Sequence, residues 1–363
     1  MLGMACGVLL LVLAVNILVD PNWFFEINNA LNTRKCAFDE RVQKTNRLLH
    51  SRRDYDALLL GSSRSAFIVS GQFSGLKLYN YSLSSVYPEE YEDLVEAAML
   101  RHPVRTVFIG LDFFGTARNR FSFAVQRPLP EYVEGAVKPM RVLGALLSAD
   151  SLRHALLDMR MSLGGVSLPG AYDQNYERVV SPGDSPPSDE TIYRQLLLFH
   201  TQCYGEAYRW NGDLPEILRR LRERWPEVRF VVFTTPVSAP MFSLLVHDGR
   251  LPDYERLIRL AVQVFGTVHD FMGLNSITRD LANYSDAHHF QPHVGAMIGA
   301  RITGSAGGAP ADFGVEVGPG NLEEHLADLR RQAGHADPDP LARYRALAGA
   351  GAEAPRDEAA VAR

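Results

Sequence analysis

The 363-residue chain is poor in cysteine, with only Cys6, Cys36 and Cys203. That excludes a disulfide framework and offers no zinc-binding spacing; a single bridge between Cys36 and Cys203 is the most it allows. A basic surface signature is also lacking. The formal net charge is −5 and the Lys and Arg residues are dispersed, which argues against a DNA or RNA partner. Long apolar runs are absent apart from one, Leu2 to Val19 (LGMACGVLLLVLAVNILV). With 46% hydrophobic and 22% charged residues, the chain fits one large or two ordinary globular domains and is not disordered throughout.

The apolar run is near the lower length limit for crossing a hydrocarbon core and stops at Asp20-Pro21, so a single N-terminal transmembrane anchor is expected over residues 1–20. A cleaved signal peptide is the rival reading, but no basic segment precedes the run and no clear small-residue cleavage site follows it. The missing basic flank points to a start further upstream. Arg34, Lys35, Arg41 and Lys44 follow the run, and a literal positive-inside count assigns them to the cytoplasm.

Residues 21–53 read as a polar lead-in, helical from Asp39 to Arg53. An α/β domain is expected over 54–303. Ala57–Leu60 is a continuous apolar run closed by Gly61, the mark of a strand buried on both faces. Similar runs recur at Leu76–Tyr81, Arg105–Phe114, Val228–Val237 and Thr267–Met272. Helical patterns lie between them, at Pro88–Pro103, Leu214–Trp225 and Tyr254–Phe265, with a last helix from Pro292 to Ile302. The alternation predicts a doubly wound, mainly parallel, five-stranded sheet. Residues 115–212 form a long insertion after the third strand, with helices expected at Val137–Leu163 and Thr191–His200 around a Gly/Pro/Ser-rich stretch. The segment 304–363 reads as mostly mobile, apart from an amphipathic stretch at Asn321–Gln332.

In such a sheet, ligands bind beyond the carboxyl ends of the strands. There the sequence places Ser62, Ser63 and Arg64 after the first strand and Ser82–Ser85 after the second. Asp112 ends the third, and "SDAHHFQPHVG" follows the fifth. Asp286 three residues before His289 can orient and polarise an imidazole, and Ser63 could be the hydroxyl that such a base activates. The bland readings are a helix-capping serine and a carboxylate partner for Arg64. His288 is an alternative base, and Asp112, Asp286, His288 and His289 together could hold a metal. Phe113 and Phe114 are expected in the core. Tyr204, Tyr208 and Trp210 could stack on a sugar, though packing suits them better. His293, in the first turn of the last helix, is expected to be incidental.

"LLLGSSR" and the late "DAHHF" resemble the first and last blocks of the SGNH (GDSL-like) hydrolase superfamily. Together with the apolar N-terminus and "GLDFF", they are similar to bacterial membrane-anchored SGNH-like proteins associated with O-acetylation of cell-surface polysaccharides. The resemblance covers roughly residues 1–305. It implies a flavodoxin-like fold, a nucleophilic Ser63, a general base His289 and an orienting Asp286, with no cofactor and no metal. It also implies an extracytoplasmic body and an acetyl-ester or carbohydrate substrate, with membrane and polysaccharide-modification proteins as partners. Two departures stand out. "YSLSSVY" lacks the oxyanion-hole glycine, leaving Ser84 or Ser85 to serve, and Asp112 stands where the family has an Asn. An ionised Asp112 would repel an oxyanion unless Arg64 neutralises it. An enzyme and a non-catalytic polysaccharide-binding or assembly protein with the same fold are the two functional readings.

Overall fold

The computed structural model describes residues 2–73, 75–121, 131, 133, 138–168, 170–180, 186–305 and 308–348. Residues 181–185 of the Gly/Pro/Ser-rich stretch and the tail beyond Ala348 lie outside the described residues. The chain divides into two compact units. One comprises Met1–Asp56, Glu92–Val104 and Gln126–Ser181, and the other Ala57–Tyr91, Arg105–Val125 and Pro182–Arg363.

The second unit is built on a mostly parallel six-stranded sheet. In chain order its strands are β1 (Ala57–Leu60), β2 (Leu78–Asn80), β3 (Thr106–Leu111), β4 (Arg229–Thr234), β5 (Val268–Asp270) and β6 (Val315–Val317). Their order across the sheet is β2-β1-β3-β4-β5-β6. β1 pairs in parallel with both β2 and β3, Leu59 standing opposite Asn80 on one side and Phe108 on the other. Leu58, Leu59, Leu60, Val107 and Ile109 are fully buried. Because nearly every residue of β1 and β3 is buried, these strands are apolar throughout instead of alternating. The chain reverses direction of winding between β1 and β3, the kind of switch point beside which such sheets bind ligands.

The five strands expected from the sequence are present, and a sixth joins them from the segment read as mostly mobile. β6 runs antiparallel to β5, with Val317 opposite Val268 and Val315 opposite Asp270. Helices Leu322–Ala333 and Pro340–Ala348 follow it. A polar cluster fastens this segment to the sheet. Asp270 on β5 accepts hydrogen bonds from Thr234 (2.6 Å), Tyr254 (2.5 Å) and His325 Nε2 (2.7 Å). Burial would raise the Asp270 pKa, but these partners outweigh it and hold it below its ordinary value. Burial disfavours the charged form of His325, yet the bond to Asp270 raises its pKa above 6.5. Linkage then fixes the sign. The His325 contribution to stability is complete below pH 6.5 and is lost as pH rises through the raised value. The Asp270 contribution is present above 3.8 and is lost as pH falls through its depressed value. Replacing His325 with Gln is therefore expected to lower the melting temperature more at pH 6 than at pH 8.5, measured by calorimetry on both proteins at both pH values.

The first unit corrects the transmembrane expectation. Leu2–Val19 is an 18-residue helix, about 27 Å long at ~1.5 Å per residue. Among the described residues, no helix is long and apolar enough to cross a membrane. The last turns of this helix are engaged within the unit. Asn16, Val19 and Asp20 are buried, and Asn16 Nδ2 donates to the carbonyl of Leu146 at 2.9 Å. The helix C-terminus is capped from outside the helix: Asn32 Nδ2 and Lys35 Nζ donate to the Val19 carbonyl, and Asn29 Nδ2 to that of Leu18. These bonds satisfy carbonyls that an α-helix leaves unpaired.

Lys35, Arg41 and Lys44, which enter the positive-inside count, are buried in this unit. They are core residues of the unit. The helix Glu40–His50 within the lead-in buries Gln43 and Asn46, whose amides donate to the carbonyls of Pro21 and Asn22. Trp23, Tyr172 and Tyr176 pack together beside them. The helical stretch expected over Val137–Leu163 is two helices, Pro139–Leu146 and Ala149–Ser162, the second capped at Ser148. All three cysteines are free.

Candidate active site

β1 is followed by Gly61, whose φ of 153° brings the chain into the turn that carries Ser63. A side chain at Gly61 would meet Ser65 Oγ at 2.3 Å and the Gly110 carbonyl at 3.2 Å, so the turn requires glycine. Ser63 therefore projects at the carboxyl end of β1, beside the switch point. The loop after β5 reaches the same place. It is closed by a bridge between Tyr284 and Phe290 and by the Ser285 N–H donating to the His289 carbonyl at 2.9 Å. The helix that follows, Pro292–Thr303, packs so closely that a Cβ on Gly295 would lie 2.7 Å from the Phe67 carbonyl. Gly295 thus allows the His289 loop to lie against the segment that follows Ser63.

The result is a three-residue relay. Ser63 Oγ lies 2.8 Å from His289 Nε2, and His289 Nδ1 lies 2.6 Å from Asp286 Oδ2. The second carboxylate oxygen of Asp286 accepts the backbone N–H groups of His288 (2.8 Å) and His289 (2.7 Å). Burial would raise the Asp286 pKa, but the two imidazoles and these donors outweigh it and hold the group far below the usual carboxylate range. Asp286 is thus ionised and fixed, with one oxygen holding the loop and the other facing the imidazole.

His288, the alternative base, lies beside this relay, with its Nε2 3.9 Å from Asp286 Oδ1. Its Nδ1 accepts from Arg64 Nε at 3.2 Å, and burial holds its pKa well below 6.5. With Nδ1 occupied in this way the ring is neutral and protonated on Nε2. Its ring packs against those of His289 (3.9 Å) and Phe199 (4.8 Å).

Arg64 connects the remaining candidates. Its guanidinium pairs with Asp112 at 2.9 Å, both side chains being almost completely buried, and lies between the rings of Phe114 and Phe199. Thr235, at the end of β4, donates to the same Asp112 oxygen. Asp112 therefore sits opposite a fixed cation across the switch point. Ser85 adopts φ 51°, the left-handed region that favours glycine, and is half-buried together with Ser84. Asp286, His288 and His289 also carry ligand atoms close enough to share a metal ion, whereas Asp112 is engaged with Arg64 and is not in that group.

Phe113 is buried against Tyr204 and Tyr208, which are themselves buried, so these tyrosines pack the core as the simpler reading held. Trp210 lies under the Arg256 guanidinium. His293 pairs with Asn283 outside the relay. Sequence reasoning missed Thr235, Phe199 and Phe67, whose ring edges onto that of His289. Each is a common residue type with no local motif; only the end-of-strand position of Thr235 was a signal.

The arrangement has the elements for moving a proton from a serine hydroxyl to an imidazole backed by a carboxylate. No family model matches the chain, and no curated protein matches it. A solved structure described as "a putative platelet activating factor from Streptococcus pneumonia" aligns at 8% identity over 72% of this chain and 88% of that one, with a TM-score of 0.34. A likeness of that degree carries no argument.

Proposed function

We propose that this chain is a serine-dependent ester hydrolase or O-acyltransferase of the SGNH type, acting on acetyl esters of a carbohydrate. The observation that carries the reading is the continuous relay from Ser63 through His289 to Asp286, with links of 2.8 and 2.6 Å. In the reaction, Ser63 Oγ attacks the ester carbonyl while His289 Nε2 takes its proton. The tetrahedral intermediate then expels the alcohol, which leaves with that proton, and acyl-Ser63 remains. Water or a sugar hydroxyl attacks the acyl group in turn and returns Ser63.

Stabilisation of the oxyanion falls to backbone N–H groups, with Ser63 and Ser85 as the candidates. Support for Ser85 comes from its φ of 51°, which turns its peptide as a glycine would. A backbone role makes the side chain dispensable. Ser85→Gly is expected to keep acetyl-ester turnover within about threefold and to stabilise the fold by roughly 0.5–1 kcal/mol, since glycine takes this conformation without strain. If the hydroxyl were the donor, the same variant would lose about 10²–10³-fold in kcat. Steady-state kinetics and a denaturant titration decide between them.

The reading also assigns the body to the extracytoplasmic side of a membrane, alongside other polysaccharide-modification proteins. Association through the N-terminal helix is supported by the exposure of Met4, Val8, Leu9, Leu10 and Leu11, in a segment with no charged residue.

The deciding experiment is fluorophosphonate labelling together with acetyl-ester hydrolysis, on wild type, Ser63→Ala and His289→Ala. Wild type is expected to label and turn over, and both variants to fail. A folded wild-type protein that does neither would overturn the catalytic reading in favour of carbohydrate binding on the same fold.

A further inference from the structure

A second cluster of imidazole and carboxylate shares no residue with the relay. Helix Asp189–Phe199 passes at His200 into a single π-helical turn, His200–Tyr204, and helix Ala239–His247 ends at Asp248. His200 Nδ1 lies 2.9 and 3.0 Å from the two Asp248 oxygens, and His247 Nδ1 lies 3.0 Å from the first of them. The three ligand atoms fall within 4.8 Å of one another.

The burial of this group points to a cation. The Asp248 side chain is 2% exposed, whereas those of His200 and His247 are 36% and 32% exposed. Asp248 also sits at the C-terminal end of its helix, its N–H bonded to the Leu244 carbonyl at 2.9 Å. That end carries the negative pole of the helix dipole, where a buried carboxylate is disfavoured. Among the described residues, no Lys or Arg pairs with the Asp248 carboxylate. Arg250 donates instead to the Asp248 backbone carbonyl and to Asp253.

We propose that His200, His247 and Asp248 form a binding site for a divalent transition metal of the zinc type. The donor set of two imidazole nitrogens and one carboxylate oxygen suits such an ion and is a poor match for magnesium or calcium. Tetrahedral coordination at about 2.1 Å separates ligand atoms by roughly 3.4 Å, so the present 2.9–3.0 Å contacts need open by only about half an ångström. The half-exposed imidazoles leave a route for the ion, and water would complete its shell.

The site has a structural consequence. Phe199, the residue before His200, packs its ring 4.8 Å from that of His288, which lies 3.9 Å from that of His289. A metal joining His200 to the end of helix Ala239–His247 fixes the π-helical turn and, with it, the ring behind the relay.

The test is a Co²⁺ titration of the full, chelator-treated chain followed by visible absorption. Wild type is expected to bind one equivalent with the spectrum of a low-coordinate Co²⁺ site. His247→Ala is expected to bind at least about tenfold more weakly, with its metal-free melting temperature matching wild type. Asp286→Asn serves as control, because Asp286, His288 and His289 are the other group able to take an ion; it is expected to bind like wild type. Absence of Co²⁺ binding, or binding lost in Asp286→Asn but kept in His247→Ala, would overturn the proposal. Metal binding here is independent of esterase activity, so a failed ester assay leaves it standing.

Discussion

Ser63→Ala and Asp286→Asn are each expected to lower acetyl-ester turnover by about 10⁴-fold or more, while shifting thermal stability by no more than a degree or two. For Ser63 the argument is direct, since the alanine removes the atom that attacks. For Asp286 it runs through the tautomer. Ionised Asp286 accepts from His289 Nδ1 at 2.6 Å, which leaves Nε2 unprotonated toward Ser63 Oγ at 2.8 Å. An Asn amide placed there donates to Nδ1 instead, the ring carries its proton on Nε2, and no base faces the serine. The Asn carbonyl can still accept the N–H groups of His288 and His289, so the loop survives. Asp286→Ala loses those two bonds as well and is expected to melt lower. A kcat collapse with an unchanged melting temperature in Asp286→Asn, alongside lower stability in Asp286→Ala, separates the chemical role from the structural one. Equal, modest losses of activity in both variants would make Asp286 a loop residue alone.

Much of this was legible because it is local. The strands β1 to β5 stand in the sequence as apolar runs, since burial on both faces removes alternation. Ser63, Asp286 and His289 stand in short segments at strand ends, where a parallel sheet collects its chemistry. The missed elements have physical reasons. Val315–Val317 is three residues long with two of them exposed, too short for any periodicity to register. The helix Ala239–His247 buries Pro240 through Leu245 without interruption, so no polar face marks its turn. Arg41, Gln43, Lys44 and Asn46 belong to the segment read as a polar lead-in, and such residues are rarely buried unless paired. They are buried among backbone carbonyls and charges distant in sequence, which a local pattern cannot show. The same limit applies to the Leu2–Val19 helix: its apolarity is local, but the capping of its last turn depends on Asn29, Asn32 and Lys35.

Arg64→Met is expected to destabilise the sheet-bearing unit by about 3–5 kcal/mol, because it leaves Asp112 charged, buried and facing no cation. Arg64 and Asp112 are 2.9 Å apart with side-chain exposures of 1% and 3%, so solvent screens the pair very little. The loss should belong mainly to the orphaned carboxylate. Adding Asp112→Asn removes that charge and leaves an amide oxygen to accept from Thr235, so the double variant is expected to recover most of the stability. Urea denaturation of the four proteins of this cycle measures the coupling. The cycle also tests whether a charged Asp112 would hinder the proposed reaction at Ser63. If Arg64 serves to neutralise Asp112, the double variant should keep fluorophosphonate labelling of Ser63. Its His288 loses the donor at Nδ1 but remains held between the rings of Phe199 and His289. If labelling is lost although stability returns, Arg64 acts on the relay through His288 in its own right, and the ion pair orders the site as well as holding the fold.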